Sequence, residues 1–432
     1  MKKTTNTNAI KTVKKPKKKA TEKKVAKSKE VVRDKAQRRT EFKPLSSEEL
    51  AEILGLTIKK DEANKLITFL CMLSAYTEDS QINIGNIAPS SSGKSYIPGE
   101  LAPLFPDVVQ LGYCSPKAFF HDAGQYDKEL MGYRINLERK ILIFLDQPHT
   151  LLLEHLRPML SHDKKEITVK IADKNARHGH STKTNLLIGY PAVIFCSTGL
   201  KLDEQEKTRL ILLSPDINQE KLRYGVIEKI KKESNTGVYQ QRLDENPERR
   251  LLQERIRAIR DAHISEINIA QPEIVERRFL AKHKVLKPRH QRDVAHLLSL
   301  VKAFALLNLW HRDRIGSTIV ANRQDIREAF KLWDAISESQ ELGLPPYIYE
   351  FYQQVIAPAF FGKSVKKCGE KGLTRREIMK KHYEVYKQPV ADWVLRQDIL
   401  PALEITGLIR QEPAKSDKRK MLIYPYSPTD KG

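Results

Sequence analysis

The sequence predicts an α/β protein: a P-loop core of three αβα layers around a parallel sheet, then a helical lid and a C-terminal winged-helix domain. Three observations predict it. Residues 81–87 alternate like a strand and run into the small-residue loop Ala88-Pro89-Ser90-Ser91-Ser92-Gly93-Lys94-Ser95. Apolar runs at 140–145, 191–196 and 210–213 alternate with helical segments between residue 81 and about 215, which is the pattern of a parallel sheet with crossovers. Near the C-terminus, helix, helix and a hairpin with a basic tip follow one another.

The N-terminus comes first in order. Residues 1–39 hold 16 Lys+Arg against 3 Asp+Glu, more than half of the chain's net charge of +22. Such a segment buries too little apolar surface to fold and is expected to be a disordered basic tail, spanning 1–40. It would bind any polyanion through counterion release, without reading sequence. Over all 432 residues, 40% are hydrophobic, enough for a sizeable core. No apolar run reaches the roughly 20 residues of a membrane span, and no signal peptide is visible. Cys71, Cys114, Cys196 and Cys368 are too scattered for a zinc or disulfide framework. The expected location is the cytoplasm, at the nucleoid, with no membrane partner.

Ser46 to Leu50 reads as a helix start with a capping box, and a second helix carries Leu66, Phe69, Leu70 and Leu73. These form an N-terminal helical subdomain, 41–80. Next comes the loop ending Gly93-Lys94-Ser95. Small residues let consecutive backbone N–H groups turn inward on phosphate oxygens, so Ala88, Ser90, Ser91, Ser92 and Gly93 are candidate contacts. Lys94 reaches the β- and γ-phosphates, Ser95 ligates Mg²⁺, and the N-terminus of the next helix adds positive charge. Pro98 and Gly99 predict an early kink in that helix.

Lys140 to Leu145 is a buried-strand run ending in Asp146, 51 positions after Ser95. At the end of a strand next to the loop strand, Asp146 holds the water shell of Mg²⁺. Gln147 follows, able to orient a water but not to take its proton. A helix at 151–160 precedes a hairpin over 167–188 with a basic tip. Lys170, Lys174, Arg177 and Lys183 are its candidate nucleic-acid contacts. His178 and His180 lie in that tip without a third ligand, so the tip reads as a basic finger rather than a metal site. The strand 191–198 ends in Ser197 and Thr198, either of which is placed to sense a γ-phosphate.

In this order the motifs resemble those of an AAA+ ATPase of the pre-sensor-1 hairpin clade, closest to minichromosome maintenance (MCM)-type helicases. They are also similar, more loosely, to the ATPase modules of mobile-element and phage primase–helicases. The resemblance covers roughly residues 45–335 and a familiar C-terminal addition. It implies ATP and Mg²⁺ as cofactors, with Lys94, Ser95 and Asp146 as the phosphate and metal residues. Gln147 stands where the family has its catalytic glutamate, and Ser197 or Thr198 where it has the sensor-1 asparagine. Arg209, in Thr208-Arg209-Leu210, occupies the place of the family's arginine finger. Arg292, with Ala303 eleven positions on, fits the start of the sensor-2 helix, Arg289 being the fallback register.

The implied domains are an ATPase core over 81–217, a charged helical insert and lid over 218–340, and the winged helix over 345–427. In the last, Thr374 caps a helix, and Lys415, Lys418 and Arg419 make the basic wing. The function expected is an ATP-dependent DNA motor, a helicase-like ATPase acting as a homo-oligomeric ring such as a hexamer. A primase or initiator partner would supply the N-terminal collar that the family has and this chain lacks. The alternative is an ATP-switched DNA scaffold or loader that hydrolyses weakly, because of Gln147.

Overall fold

A computed structural model describes residues 38, 40–112, 125–130, 132–146, 150–173, 181–199, 204–362, 372–415 and 417–426. Its strands, in chain order, are β1 (Asn83–Ile87), β2 (Val108–Leu111), β3 (Gln125–Asp127), β4 (Gly132–Asn136), β5 (Ile141–Phe144), β6 (Glu166–Asp173) and β7 (Ser181–Ile188). They continue with β8 (Ala192–Ser197), β9 (Ile211–Leu213), β10 (Glu266–Ile269), β11 (Asp313–Ile315), β12 (Thr318–Ala321), β13 (Ile409–Pro413) and β14 (Met421–Pro425).

The central sheet is five-stranded and all-parallel, in the order β2-β5-β8-β1-β9. Its strands β5 and β8 are apolar on both faces, as a sheet covered by helices requires, and β1 is buried along its whole length. On one face Leu142, Phe144, Val193 and Phe195 meet Leu152, Leu153 and Leu156 of the helix Thr150–Leu160. Phe144 and Phe195 stack there at 5.1 Å. The helix Glu62–Ser74 packs on the other face, against β1 and β8. Asn83 is buried at the start of β1; it accepts from the Val193 N–H at 3.1 Å and donates to Leu160 O at 3.2 Å. That buried amide locks the amino-terminal edge of β1 to both neighbouring layers.

The edge strand β9 is closed by a side chain. Gln340, on the helix Arg323–Leu342, donates to Leu212 O at 2.7 Å and accepts from Leu212 N at 2.9 Å. An amide thus occupies the hydrogen-bonding groups that would otherwise template another strand.

A second sheet, β3-β4-β7-β6, extends from this core and contains the predicted hairpin as β6 and β7. The β3–β4 hairpin was not expected from the sequence. It joins through Gly132, where a Cβ would lie 1.5 Å from Thr184 O, so only glycine allows β4 this close to β7. A third small sheet, β10-β12-β11, corrects the expectation of a helical insert and lid over 218–340, which also contains these three strands. Beside it Arg312 and Asp325 form a buried, two-pronged ion pair at 2.6 and 2.5 Å.

The C-terminal part holds helices Pro346–Phe351, Ala357–Phe361, Arg375–Tyr386 and Leu400–Ile405, and the β13–β14 hairpin. Leu373 adds a bridge to Ile423 through two hydrogen bonds of 2.9 and 2.8 Å. Ser46 with Glu49, and Thr374 with Glu377, make the two expected capping boxes. The described residues from Leu45 onward form one compact unit; before it, among residues 38 and 40–44, Phe42 N donates to Arg38 O at 2.8 Å. Among the described residues no helix is long and apolar enough to cross a membrane.

Candidate functional site

The site is set by the sheet topology. From the carboxyl end of β1 the chain leaves toward β2, on one side, whereas from the neighbouring β8 it leaves toward β9, on the other. Such a reversal opens a crevice between two strand ends, the usual ligand position in an open α/β sheet. The loop 88–95 fills it. Ala88 N donates to Ser197 O at 3.2 Å, holding the loop's first residue against β8. Pro89 O then accepts from Ser92 N at 3.4 Å and Ser92 Oγ at 2.8 Å, closing a tight turn. Ser91 and Gly93 have φ of +63° and +89°. Alternation of left- and right-handed residues is what turns successive N–H groups into an anion-binding concavity. Glycine meets the cost of a positive φ at position 93; Ser91 bears it.

Lys94 is half-buried and Ser95 exposed. The Lys94 carbonyl accepts the Cys196 thiol at 3.5 Å, a thiol that burial pushes up to about 12 and so keeps neutral. The following helix, Tyr96–Leu101, has only six residues before a 3₁₀ turn at Ala102–Leu104, as Pro98 and Gly99 foretold. Its dipole is therefore small, so the helix end offers an anion less than the sequence suggested.

Asp146 is exposed just past the end of β5. The expected adjacency to β1 is corrected: β8 lies between, paired to both. Sequence order says nothing about lateral order, and β8 inserts Ser197 between Asp146 and the loop. Ser197 is buried with Oγ on Gly199 O at 3.0 Å, while Thr198 follows it exposed. Gln147 lies outside the described residues.

A cavity of about 510 Å³ opens beside Ser91, Ser92 and Gly93. Its walls are Thr57–Lys59, Tyr96, the helix Gln219–Ser234 and Tyr239. Tyr96 OH donates to Thr57 O at 2.7 Å, and Lys232 pairs with Glu100 at 2.8 Å, fastening three remote segments around it. Burial pushes the Tyr239 phenol up to about 12 and Tyr96 higher still, so both face the cavity neutral. The sequence carried no signal for this cavity, because its walls come from segments far apart in the chain.

Below it, Asp61 is buried, paired to Lys221, and accepts from Asp216 N at 2.8 Å. Burial and then the Asp61 charge push the Asp216 carboxyl up to about 6. Burial, Asp216 and Asp61 push Glu350, on the C-terminal part, up to about 7. A carboxyl raised in the folded state destabilises progressively as pH climbs above its ordinary value, fully so above the raised one. Glu350→Gln is therefore expected to raise the melting temperature at pH 8 by a few degrees, on the order of 1–2 kcal/mol, and to change little at pH 4. An increment independent of pH would contradict this.

The arginines lie at the other edge of the sheet. Arg209 precedes β9, and its Nε donates to Ser161 Oγ, the residue after the helix whose Leu160 carbonyl holds Asn83. Arg157 pairs with Glu206 at 2.7 Å. His296, driven down to about 4 by burial, is neutral and donates from Nε2 to Thr208 O at 3.3 Å. The guanidinium of Arg209 is pushed down by burial, then by Arg292 and Arg157. The structure thus gathers Arg157, Arg209 and Arg292 at the amino-terminal edge. β1, five residues long, separates that edge from the loop by about 15 Å. Arg289 is engaged elsewhere, with Asp293 at 3.3 Å.

Of the hairpin candidates, Lys170 is exposed on β6, and Lys183 is described by its backbone alone, in β7. Lys174 and Arg177 lie outside the described residues, as does the basic tail up to 37. Arg134 of β4 shares the outer face with Lys170, although it is paired to Asp127. Lys415, Lys418 and Arg419 are exposed at the tip joining β13 and β14.

One unforeseen group of metal-ligand types is His283, His290 and Glu341, with donor atoms within 4.8 Å of one another. Lys287 N donates to Nδ1 of His290 at 3.2 Å, so in the neutral ring Nε2 carries the proton, 3.8 Å from Glu341. A protonated nitrogen offers no lone pair, and the cluster reads as a polar staple. Comparisons with protein-family models and with curated proteins returned no match.

Proposed function

We propose that the chain is an ATP-dependent DNA motor: a P-loop AAA+ core with a helical lid and a C-terminal winged helix, working as a homo-oligomer. The observation that carries this reading is the Ser91–Gly93 turn at the sheet's switch point, with Asp146 and Ser197 on the same edge and the 510 Å³ cavity beside it. Those residues fit a nucleotide triphosphate and Mg²⁺. The N–H groups of Ser90, Ser91 and Gly93 and the Lys94 ammonium would take the phosphates, because Pro89 has no N–H and Ala88 N and Ser92 N donate to Ser197 O and Pro89 O; Ser95 and Asp146 would take the metal, and the cavity the rest of the nucleotide. Bound Mg²⁺ supplies charge neutralisation at the phosphates.

The chain's own residues do the remaining work. Thr198 sits where a γ-phosphate would be sensed, and Gln147 orients a water without taking its proton. Arg209 and Arg292, being across the sheet, serve a neighbouring molecule's nucleotide. Lys170 and the hairpin it belongs to contact the DNA backbone. A switch-like scaffold is the competing reading, favoured by Gln147 alone.

Steady-state turnover with and without single-stranded DNA tests this. DNA is expected to stimulate turnover severalfold, and replacing Lys170, Lys174 and Arg177 together by Ala to remove the stimulation while leaving basal turnover. Undetectable wild-type turnover that Gln147→Glu restores would favour the scaffold. Stimulation untouched in the triple variant would remove the hairpin from the mechanism.

A further inference from the structure

The helix Gln219–Ser234 forms one wall of the 510 Å³ cavity beside the loop 88–95. Lys221, Leu222, Gly225, Val226, Lys229 and Lys232 line it, a single face along three turns. The apolar side chains of a helix normally pack on neighbouring elements. Here, of sixteen residues, only Glu228 is buried. The cavity separates Leu222 and Val226 from Ile58 and Ile97, which line it too.

The middle of that face is Gly225. Glycine in a helix interior is unfavourable, because it gives up the most backbone freedom on folding. At Gly132 the protein's own backbone excludes a side chain; at Gly225, among the described residues, a Cβ would meet no other segment within 4 Å. Packing explains the first glycine and not the second. Leu222 and Lys229, at i−3 and i+4 from it, both line the cavity, so a side chain at 225 would project into it.

The charged groups of these walls are mostly matched within the protein. Asp61 pairs with Lys221, Glu100 with Lys232 at 2.8 Å and Glu228 with Lys231 at 3.5 Å. The Thr57 carbonyl already accepts from Tyr96. Beyond the loop, the cavity therefore offers apolar surface and bare helix backbone more than donors and acceptors that could read the edge of a ring.

We infer that Gly225 determines which nucleotides the site takes: purine nucleoside triphosphates, whose flat base lies on the bare backbone at 225 among Ile58, Ile97, Leu222 and Val226. The assignment rests on the loop 88–95 holding the phosphates. A purine buries more ring surface than a pyrimidine in the same slot, and the gain scales with that area. Because ring edges are not read, ATP serves as a purine nucleotide and GTP binds alike. A side chain at 225 takes the place of the base and leaves the place of the triphosphate free.

The test is calorimetric titration of the full chain with the Mg²⁺ complexes of ATP, GTP, UTP and inorganic tripolyphosphate, the last having phosphates and no base. Wild type is expected to bind ATP and GTP within about threefold of each other and UTP about tenfold more weakly. Gly225→Leu should weaken ATP binding about tenfold or more, toward that of tripolyphosphate, whose own affinity stays as in wild type. Gly225→Ala should weaken ATP binding by less, and yet raise the melting temperature of the nucleotide-free protein by about a degree or more, since alanine is the better helix former. A protein made more stable and poorer at binding is not what a purely structural glycine would give. Lys94→Ala should lose ATP and tripolyphosphate together. ATP affinity untouched by Gly225→Leu, in a protein that binds tripolyphosphate, overturns the base slot alone. Neither ligand binding to wild type removes the phosphate loop, and the slot with it. UTP bound as tightly as ATP, GTP rejected tenfold, or tripolyphosphate lost along with ATP in Gly225→Leu would each overturn the inference as well.

Discussion

Lys94→Ala is expected to remove the thermal stabilisation that MgATP gives the wild-type protein and to lower turnover by about 10²-fold or more. A ligand at one hundred times its dissociation constant stabilises by about 2.7 kcal/mol, a shift of a few degrees that calorimetry resolves. Lys94 sits near the end of the 88–95 loop, and its ammonium is the loop's one full positive charge. Losing a pre-positioned donor of this kind typically costs two to three orders of magnitude in rate. The fold should survive, because among the described residues Lys94 is hydrogen-bonded only through its carbonyl, by Cys196, and alanine keeps that carbonyl. Lys170→Ala, on the far sheet, serves as the control and should leave the thermal shift intact. An undiminished shift in Lys94→Ala would mean that nucleotide, if bound at all, binds elsewhere.

Much of this geometry was legible in the sequence, and what was not has identifiable causes. The strands β5 and β8 were readable because each is an apolar run too short for a helix, and β1 because residues 81–87 alternate and run into a small-residue loop. Capping residues placed the starts of the helices Ser47–Leu54 and Arg375–Tyr386 to the residue. Lateral order was not readable: Asp146 was expected beside the loop strand, and β8 intervenes because nothing in a linear sequence records which strands hydrogen-bond. β3 and β10 escaped for a different reason. They are three and four residues long, β3 polar and β10 alternating over a single pair of isoleucines, too short for a periodicity to register, and they pair with β4 and β12. The cavity and the arginine patch are long-range by construction. Arg209 and Arg292 were each singled out separately, and only folding brings them together through Thr208 and His296.

That convergence makes the second large effect a statement about assembly. Arg209→Ala is expected to lower turnover by about 10³-fold, the lower end of what a trans arginine contributes to phosphoryl transfer. A chain that holds its loop at one edge of the sheet and its arginines at the other cannot bring the two together without breaking β1 and β9 apart. Two defective proteins are therefore expected to repair each other. Lys94→Ala retains Arg209 but has a disabled loop; Arg209→Ala retains the loop but offers nothing to its neighbour. Mixed at equal concentration and allowed to exchange, they should form interfaces joining an intact loop to an intact Arg209. Turnover should rise well above the sum of the two separate activities. Arg292→Ala should behave as Arg209→Ala does in the same mixture, since both guanidiniums belong to one patch. Ser161→Ala, which frees Arg209 Nε from its hydroxyl partner, should cost far less, because it loosens the side chain without removing its charge. Complementation absent from mixtures shown by differently tagged subunits to contain both proteins would place Arg209 outside the nucleotide chemistry, as an internal tie between the helix Thr150–Leu160 and β9.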